Sequence, residues 1–270
     1  MTAFMAACAA ADTQQCHASP PPPPPPGIPE GVTHMFSTPL FRMKLVEPSN
    51  AADFFLTLES AILDHFRESV ARCEEIALGA GQTPSDRFFS LQRDAFERDE
   101  DSFLMLAGGE VAAAFEQLKS GWLQNAQQYV AAAAGEEAAE AFFAKKLHMF
   151  VWASVHEGCS VHTPHVHENT AISGVFYISV PDGSGALVLD DPRGLRPPFH
   201  RNQISHHPAT GELILFPPWL LHSVAPSCST SGPRISLSFN ILSEHEGGQQ
   251  MTDWEVLADT NAVITPLDGD

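Results

Sequence analysis

Residues 161–179 read VHTPHVHENTAISGVFYIS, and this stretch carries two histidines, His165 and His167, two positions apart. Side chains at positions i and i+2 of an extended strand point the same way, so both imidazoles are able to bind one metal ion. A third histidine, His222, lies in the stretch GELILFPPWLLHSV, residues 211–224. The pattern predicts that a distant strand brings His222 to the first two histidines and completes a metal site.

The third ligand of this site allows two interpretations. A facial set of three ligands with open positions is typical of non-haem Fe(II) oxygenases. One interpretation uses three neutral ligands, His165, His167 and His222. The other replaces His167 with the carboxylate of Glu168, which needs a local kink because adjacent residues of a strand face opposite sides. The three-histidine set is preferred. His162 is expected on the other face of a regular strand and outside the ligand set, either as a residue that contacts the ligands or as a surface residue.

The chain from Leu147 onward has the pattern of a β-structure. Short runs rich in β-branched and aromatic residues alternate with turn sequences such as PDGSG and PATG. Five or more such runs are present, namely LHMFVWASV, GVFYISV, GALVLD, GELILF and RISLSFNI. They predict a jelly roll, a fold that places the ends of sequence-distant strands around one cavity mouth.

The part of the chain before Leu147 is predicted to be mainly helical. A first strand is expected within 36–47, and 80–108 reads as irregular because Gly, Pro and charged residues are frequent there. Apolar residues recur at helical spacing in three segments. The predicted helices are 51–78, 110–133 and 136–146, and their aromatic residues are expected in the core.

Composition excludes several classes of function. The net charge is -19, from 33 acidic and 14 basic residues, so a nucleic-acid partner is not expected. Five scattered cysteines without a CxxC pair predict free thiols in a reducing compartment. No apolar run reaches the roughly 18 residues of a membrane span. A cytoplasmic protein is therefore expected, with no membrane partner, and the apolar start MTAFMAACAAA leaves organellar targeting open.

The N-terminal tail has low complexity. An unbroken proline run extends from Pro20 to Pro26 and favours polyproline II. Such a run is a weak signal for contact with an SH3 or WW domain. Far along the chain, the loop over 190–208 carries three arginines and three histidines. It is either a lid that meets an anionic substrate group or a solvated loop whose arginines pair with nearby acids.

A second constellation follows His222. Arg234 opens the apolar strand RISLSFN, and a guanidinium is suited to bidentate binding of a carboxylate. Ser236 lies on the same face of that strand, and Tyr177 lies in the strand after the histidine pair. Together they are predicted to hold the far carboxylate of a dicarboxylic acid. The alternatives are a strand-edge salt bridge for Arg234 and a core position for Tyr177 with its hydroxyl satisfied elsewhere.

Taken together, four stretches resemble a family of 2-oxoglutarate- and Fe(II)-dependent dioxygenases. They read HVHENTAISGVFY, DDPRG, FPPWLLH and RISLSFN, against a family pattern of HxHxxSxxSGVYY, DPR, FPxWLxH and RxSxSFN. The resemblance covers about residues 147–242. Thr170 stands where the pattern has Ser, and Phe176 replaces one Tyr. The paired histidines also depart from the HxD of the wider superfamily, which leaves the third ligand less defined.

The resemblance implies an α+β protein whose core is a double-stranded β-helix, a jelly-roll fold of the cupin type, with N-terminal helices packed on it. It also implies Fe(II) at His165, His167 and His222, and 2-oxoglutarate held by Arg234 with Ser236 and Tyr177. With O2, such a site oxidises its substrate, most often by hydroxylation, and releases succinate and CO2. The substrate, a small molecule or a protein side chain, is not indicated.

The implied organisation has four parts. They are a disordered Ala/Pro-rich tail at 1–33, a mainly helical part of the catalytic domain at 34–146, the double-stranded β-helix core at 147–245 and an extension at 246–270. Two other functions fit part of the pattern. A cupin-type three-histidine dioxygenase would share the histidines but would not use 2-oxoglutarate. A non-catalytic metal-binding module, for example a zinc site, would neither consume O2 nor need Arg234.

Overall fold

The described strands of the chain form two antiparallel sheets, with helices preceding most of them in sequence. The computed structural model describes residues 37–79, 97–98, 102–157, 159–193 and 203–243. The tail at 1–33 with its proline run, the extension at 246–270 and residues 194–202 of the loop lie outside the described residues. The unit Pro39–Asp270 contains every element named below, and only residues 37 and 38 of the unit Met1–Thr38 are described.

The three predicted helices are present. The α-helices are α1 (Ala52–Gly79), α2 (Phe103–Leu106), α3 (Gly109–Ala134) and α4 (Glu136–Phe143), and a short 3-10 helix spans Pro48–Asn50. Helix α2 lies in a segment that was predicted to be irregular. Its first turn is capped by Ser102, whose hydroxyl accepts a hydrogen bond from the backbone N–H of Leu104. Helix α4 ends three residues earlier than predicted, just before the first long strand.

Ten strands lie in the described residues, and eight of them follow α4. The strands are β1 (Phe41–Lys44), β2 (Glu97–Arg98), β3 (Leu147–His156), β4 (Ser160–His165), β5 (Ile172–Ser179), β6 (Leu187–Asp190), β7 (Gln203–His206), β8 (Glu212–Phe216), β9 (His222–Ser227) and β10 (Arg234–Ser243). The predicted β-rich runs contain five of these. Strands at His165 and at His222 were expected from the histidine pattern and correspond to β4 and β9, whereas the short strand β7 was not predicted.

The topology is that of a jelly roll. The larger sheet has the order β1-β8-β5-β10-β3-β2, and the smaller has the order β4-β9-β6-β7. The chain therefore crosses repeatedly between the sheets, and β3 and β10, the first and last core strands, pair along their whole length. This is the double-stranded β-helix predicted for the core, and the helices make the protein α+β.

The central strands of the larger sheet are buried on both faces. In β5, Phe176 and Ile178 belong to the cluster that packs against the helices, whereas Val175 and Tyr177 belong to the cluster on the inner face. Trp122 of α3 stacks on Phe239 of β10 with ring centres 4.3 Å apart. The helices thus cover the outer face of this sheet, and its inner face remains to line a cavity.

The aromatic residues of α3 were expected in the core. Phe115, Trp122 and Tyr129 are buried there, as predicted. No helix within the described residues is long and apolar enough to cross a membrane.

Two cysteines correct the prediction of free thiols. Cys159, just before β4, and Cys228, just after β9, form a disulfide. They are 69 positions apart in sequence, and only the pairing of β4 with β9 brings them together. Cysteine spacing alone carries no information about that pairing, so the prediction was wrong for these two residues.

The disulfide is expected to stabilise the fold. Cys159→Ser should lower the free energy of unfolding by about 2–4 kcal/mol, because the cross-link limits the freedom of the unfolded chain. Urea unfolding without reductant measures the difference. Wild type in reductant should unfold like the variant, and the variant should not respond to reductant. Equal stability of the two proteins without reductant would contradict the cross-link.

Candidate metal centre

Three histidines converge at one end of the smaller sheet. His165 is the last residue of β4 and His222 the first of β9, and the two are direct partners in the β4–β9 ladder. Their ring centres are 4.2 Å apart, and those of His167 and His222 are 5.0 Å apart. One nitrogen from each of the three rings lies within 4.8 Å of the others. This spacing allows all three to bind one ion.

His167 reaches the cluster by a route that the sequence did not predict. It lies beyond the end of β4 rather than on the same strand as His165. Its backbone N–H donates to the carbonyl of Pro218 at 2.9 Å, which fixes the segment against the turn before β9. Trp152 of β3 lies against its ring, with centres 5.5 Å apart. The assumption of one continuous strand was therefore wrong for His167, although the three rings do meet.

Backbone carbonyls set the tautomer of two of these rings. Nδ1 of His165 lies 2.9 Å from the carbonyl of Thr163, and Nδ1 of His222 lies 2.8 Å from that of Leu220. A carbonyl can only accept a hydrogen bond, so Nδ1 carries the proton in each neutral ring. The lone pair is then on Nε2, the arrangement usual for a histidine that binds a metal through Nε2.

Desolvation favours the neutral form of the three imidazoles. Desolvation, followed by the charges of His222 and His165, lowers the pKa of His167 to about 3. Desolvation and the charge of His165 lower the pKa of His222 to about 4. Desolvation also lowers the pKa of His165. Because a metal binds only the neutral ring, the site is in its binding form at neutral pH without losing protons first.

Glu168, the alternative ligand, is exposed to solvent. It is not in the group of converging ligand atoms, which consists of histidines alone among the described residues. The kink that this alternative required is therefore not seen, and the geometry favours the three-histidine set.

The prediction that His162 lies on the outer face of β4 was wrong. The β4–β9 register shifts on both sides of it, between Ser160 and His162 and again between His162 and His165. These irregularities break the two-residue alternation and turn the ring inward. His162 lines the cavity and stacks on His165, with ring centres 4.1 Å apart.

A buried arginine lies in the same cavity. Arg234, at the start of β10, is 1% exposed, and its Nε has no hydrogen-bond partner. Its guanidinium carbon lies 5.0 Å from the centre of the Tyr177 ring, and the Tyr177 hydroxyl also lacks a hydrogen-bond partner. No described carboxylate forms an ion pair with Arg234. The alternative of a strand-edge salt bridge for Arg234 is thus not observed. The Tyr177 hydroxyl likewise forms no hydrogen bond elsewhere in the core.

Buried donors without acceptors are costly, so their presence points to a ligand that supplies the acceptor. Ser236, two residues along β10, is buried and lines the same cavity. A carboxylate placed here would accept hydrogen bonds from Arg234, Tyr177 and Ser236. The donor set therefore fits the far carboxylate of a dicarboxylic acid. Desolvation is the main cause that lowers the pKa of Arg234.

A small cavity lies between the sheets and opens to solvent. It contains the histidine cluster and Arg234, and apolar side chains such as Leu187 and Phe216 form part of its wall. Sequence reasoning missed His156, which is buried and opposite Arg234 in the β3–β10 ladder. The signal was present in the sequence, since Trp152, Ser154 and His156 alternate along β3 and all line the cavity.

The start of the 190–208 loop resembles a solvated loop more than a lid. Arg193 donates two hydrogen bonds to the carboxylate of Asp191, at 2.8 and 2.6 Å. This pairing raises the pKa of Arg193, and its charge is balanced by its neighbour. Arg196 and Arg201 lie outside the described residues.

The buried histidines make stability depend on pH. Burial, and then Arg234, lowers the pKa of His156 to about 3 in the folded protein. The unfolded chain has an ordinary histidine pKa near 6.5, so below that pH it binds more protons than the folded state. Stability of the metal-free protein should therefore fall as pH drops from about 6.5 toward 3.

His156→Asn removes one of these groups and should make that fall shallower by at most about 1.4 kcal/mol per pH unit. Urea unfolding of the metal-free wild type and variant from pH 7 to pH 4.5 measures both slopes. Parallel curves for the two proteins would show that His156 is not buried in its neutral form.

Comparisons with known proteins give a consistent result. Residues 150–240 match the sequence family described as "Putative 2OG-Fe(II) oxygenase". No curated protein matches the chain. The matched segment, residues 150–240, contains the three converging histidines, Arg234, Ser236 and Tyr177.

Solved structures similar to the chain have low identity and low TM-scores. An oxidoreductase of the 2OG-Fe(II) oxygenase family from Burkholderia pseudomallei is 18% identical with a TM-score of 0.31, and the match covers 38% of this chain and 48%, about half, of that one. A prolyl-4-hydroxylase from Pseudomonas putida is 14% identical with a TM-score of 0.39, over 77% of this chain and 90% of that one. A prolyl hydroxylase from Trichoplax adhaerens, in complex with a peptide fragment of hypoxia inducible factor, is 10% identical with a TM-score of 0.43, over 77% and 84%.

The family match and the strand topology agree with the convergence of three histidines in one cavity. Residues 150–240, the segment that holds this site, are similar in sequence to the 2OG-Fe(II) oxygenase family.

Proposed function

We propose that this chain binds Fe(II) through His165, His167 and His222 and uses it to hydroxylate a small molecule or a protein side chain. In this proposal Arg234, with Ser236 and Tyr177, binds the distal carboxylate of 2-oxoglutarate, and succinate and CO2 are released. The observation that supports it most is the placement, in one cavity, of three converging histidines and a buried arginine that has no carboxylate partner among the described residues.

The charges in the cavity favour a dianionic co-substrate. Three neutral imidazoles would leave the two positive charges of an iron ion uncompensated, and Arg234 adds a third. The described residues that line the cavity include no Asp or Glu. A dicarboxylic acid bound between the metal and the arginine would balance most of this charge. Because Arg234 is buried, water screens such an interaction less than it would at the surface.

Each group of residues then has a separate task. Bound together, Fe(II) and 2-oxoglutarate supply the activation of O2, a reaction that protein side chains do not perform. The histidines fix the position of the metal, and Arg234 fixes the direction of the co-substrate. Apolar side chains, among them Phe216 and Leu187, exclude water from the space where the substrate is oxidised.

The two other functions explain less of the structure. A three-histidine dioxygenase without 2-oxoglutarate uses the metal ligands but gives no reason for an arginine that is buried without a carboxylate. A non-catalytic metal-binding module leaves both the arginine and the open cavity without a role. These alternatives remain distinct in experiment, because neither forms succinate.

Metal binding should depend on the three histidines. His222→Ala is expected to weaken Co(II) or Fe(II) binding more than 100-fold, since two remaining neutral ligands hold a divalent ion poorly. Anaerobic calorimetry measures the affinity, and His207→Ala is the matched control because His207 is exposed and outside the cavity. Undiminished binding by the His222 variant would place the metal elsewhere.

Co-substrate use should depend on Arg234. Arg234→Gln is expected to raise the KM for 2-oxoglutarate about 10- to 100-fold, the effect of losing a hydrogen bond between charged groups. The measurement is Fe(II)-dependent succinate formation without added substrate, the slow uncoupled reaction. Arg67→Gln is the control, because Arg67 lies exposed on α1 and pairs with Asp64. If succinate forms with the same KM in both variants, Arg234 does not bind 2-oxoglutarate.

A further inference from the structure

His162 has a position that the proposed metal and co-substrate sites do not require. It lies on β4, the edge strand of the smaller sheet, three residues before His165. Regular alternation would turn it away from the cavity. The ladder instead shifts register on both sides of it, at the expense of regular pairing between β4 and β9. Irregularities of this kind typically redirect a side chain, which here faces the cavity.

The ring of His162 packs face to face against the ring of His165. The ring centres are 4.1 Å apart and the planes are inclined by only 22°. His222 also approaches the His165 ring, with centres 4.2 Å apart and an inclination of 53°. His167 is a third neighbour, 5.1 Å away and nearly perpendicular, so only His162 lies nearly parallel to the His165 ring.

This packing restricts a rotation of the His165 ring that its hydrogen bond leaves free. The contact from Nδ1 to the carbonyl of Thr163 fixes one direction in the plane of the ring. It leaves rotation about that direction free, and His165 is only half-buried at the end of an edge strand. A flat ring against its face restricts this rotation and so directs Nε2 toward the other ligands.

We propose that His162 is a positioning residue that orients His165 for metal binding through the face of its ring. It is not a fourth ligand. Two imidazoles that share an ion must point their nitrogens at a common point, whereas nearly parallel stacked rings point them side by side. Consistently, His162 is not in the group of three histidines whose nitrogens converge. This inference rests on the metal-binding half of the proposed function and not on 2-oxoglutarate.

Two substitutions separate the ring face from the nitrogens. His162→Phe keeps a flat ring and removes both nitrogens, and His162→Gln keeps polar atoms and removes the ring. We expect the Gln variant to bind Co(II) about 10- to 100-fold more weakly than wild type, the usual effect of losing a partner that orients a ligand. The Phe variant should bind within about threefold of wild type.

Anaerobic calorimetry with Co(II) alone gives the affinities, and the visible absorption of bound Co(II) reports the geometry of the ligands. Urea unfolding of the metal-free proteins shows whether either variant is merely less stable. His207→Ala serves as the control for loss of a histidine outside the cavity.

The outcomes distinguish this inference from the proposed function. Rescue by Phe and weakening by Gln, with the spectrum of wild type retained in the Phe variant, support the role of the ring face. A Phe variant as weak as the Gln variant would overturn it in favour of a role for the nitrogens. Unchanged affinity in both would also overturn it. Failure of wild type itself to bind Co(II) or Fe(II) would contradict the metal site as a whole.

Discussion

The pairing of β4 with β9 is the constraint on which the site depends. It places His165 directly opposite His222, although they lie far apart in sequence, and the disulfide joins the other end of the same two strands. The third histidine is attached to this pair by one backbone hydrogen bond, from His167 to Pro218. This ladder has two register shifts, and the disulfide and the ring contacts add to its regular pairing.

The alternation of side chains along β10 determines which residues form the opposite wall of the cavity. Arg234 and Ser236 face the cavity, whereas Ile235 and Leu237 belong to the core beneath the helices. One strand therefore serves the site and the core at once. Burying a guanidinium without a carboxylate costs stability, and a cavity with this feature is less stable than an apolar one. This loss of stability occurs at a place where a bound carboxylate would offset it, as expected for a ligand-binding site.

Much of the fold and site could be predicted from the sequence, because each depends on local patterns. Helix periodicity located α1, α3 and α4, and β-branched runs located the long strands of the larger sheet. The i, i+2 pattern selected His165 and His167, but their convergence also depends on a turn before β9 that no local pattern reveals. The predictions for His162 and for the cysteines were wrong for the same reason. Both features depend on the irregular register between two strands that are distant in sequence.

The central claim is that one cavity binds iron through three neutral histidines and 2-oxoglutarate through Arg234. Its most direct test is an anaerobic titration of the Fe(II)-loaded protein with 2-oxoglutarate, followed through the visible charge-transfer absorption of the chelate. The account predicts an absorption band in wild type, a higher half-saturation concentration in Arg234→Gln and no band in His222→Ala. Iron that binds tightly yet gives no band at saturating 2-oxoglutarate would contradict the account and leave the three-histidine dioxygenase as the better description.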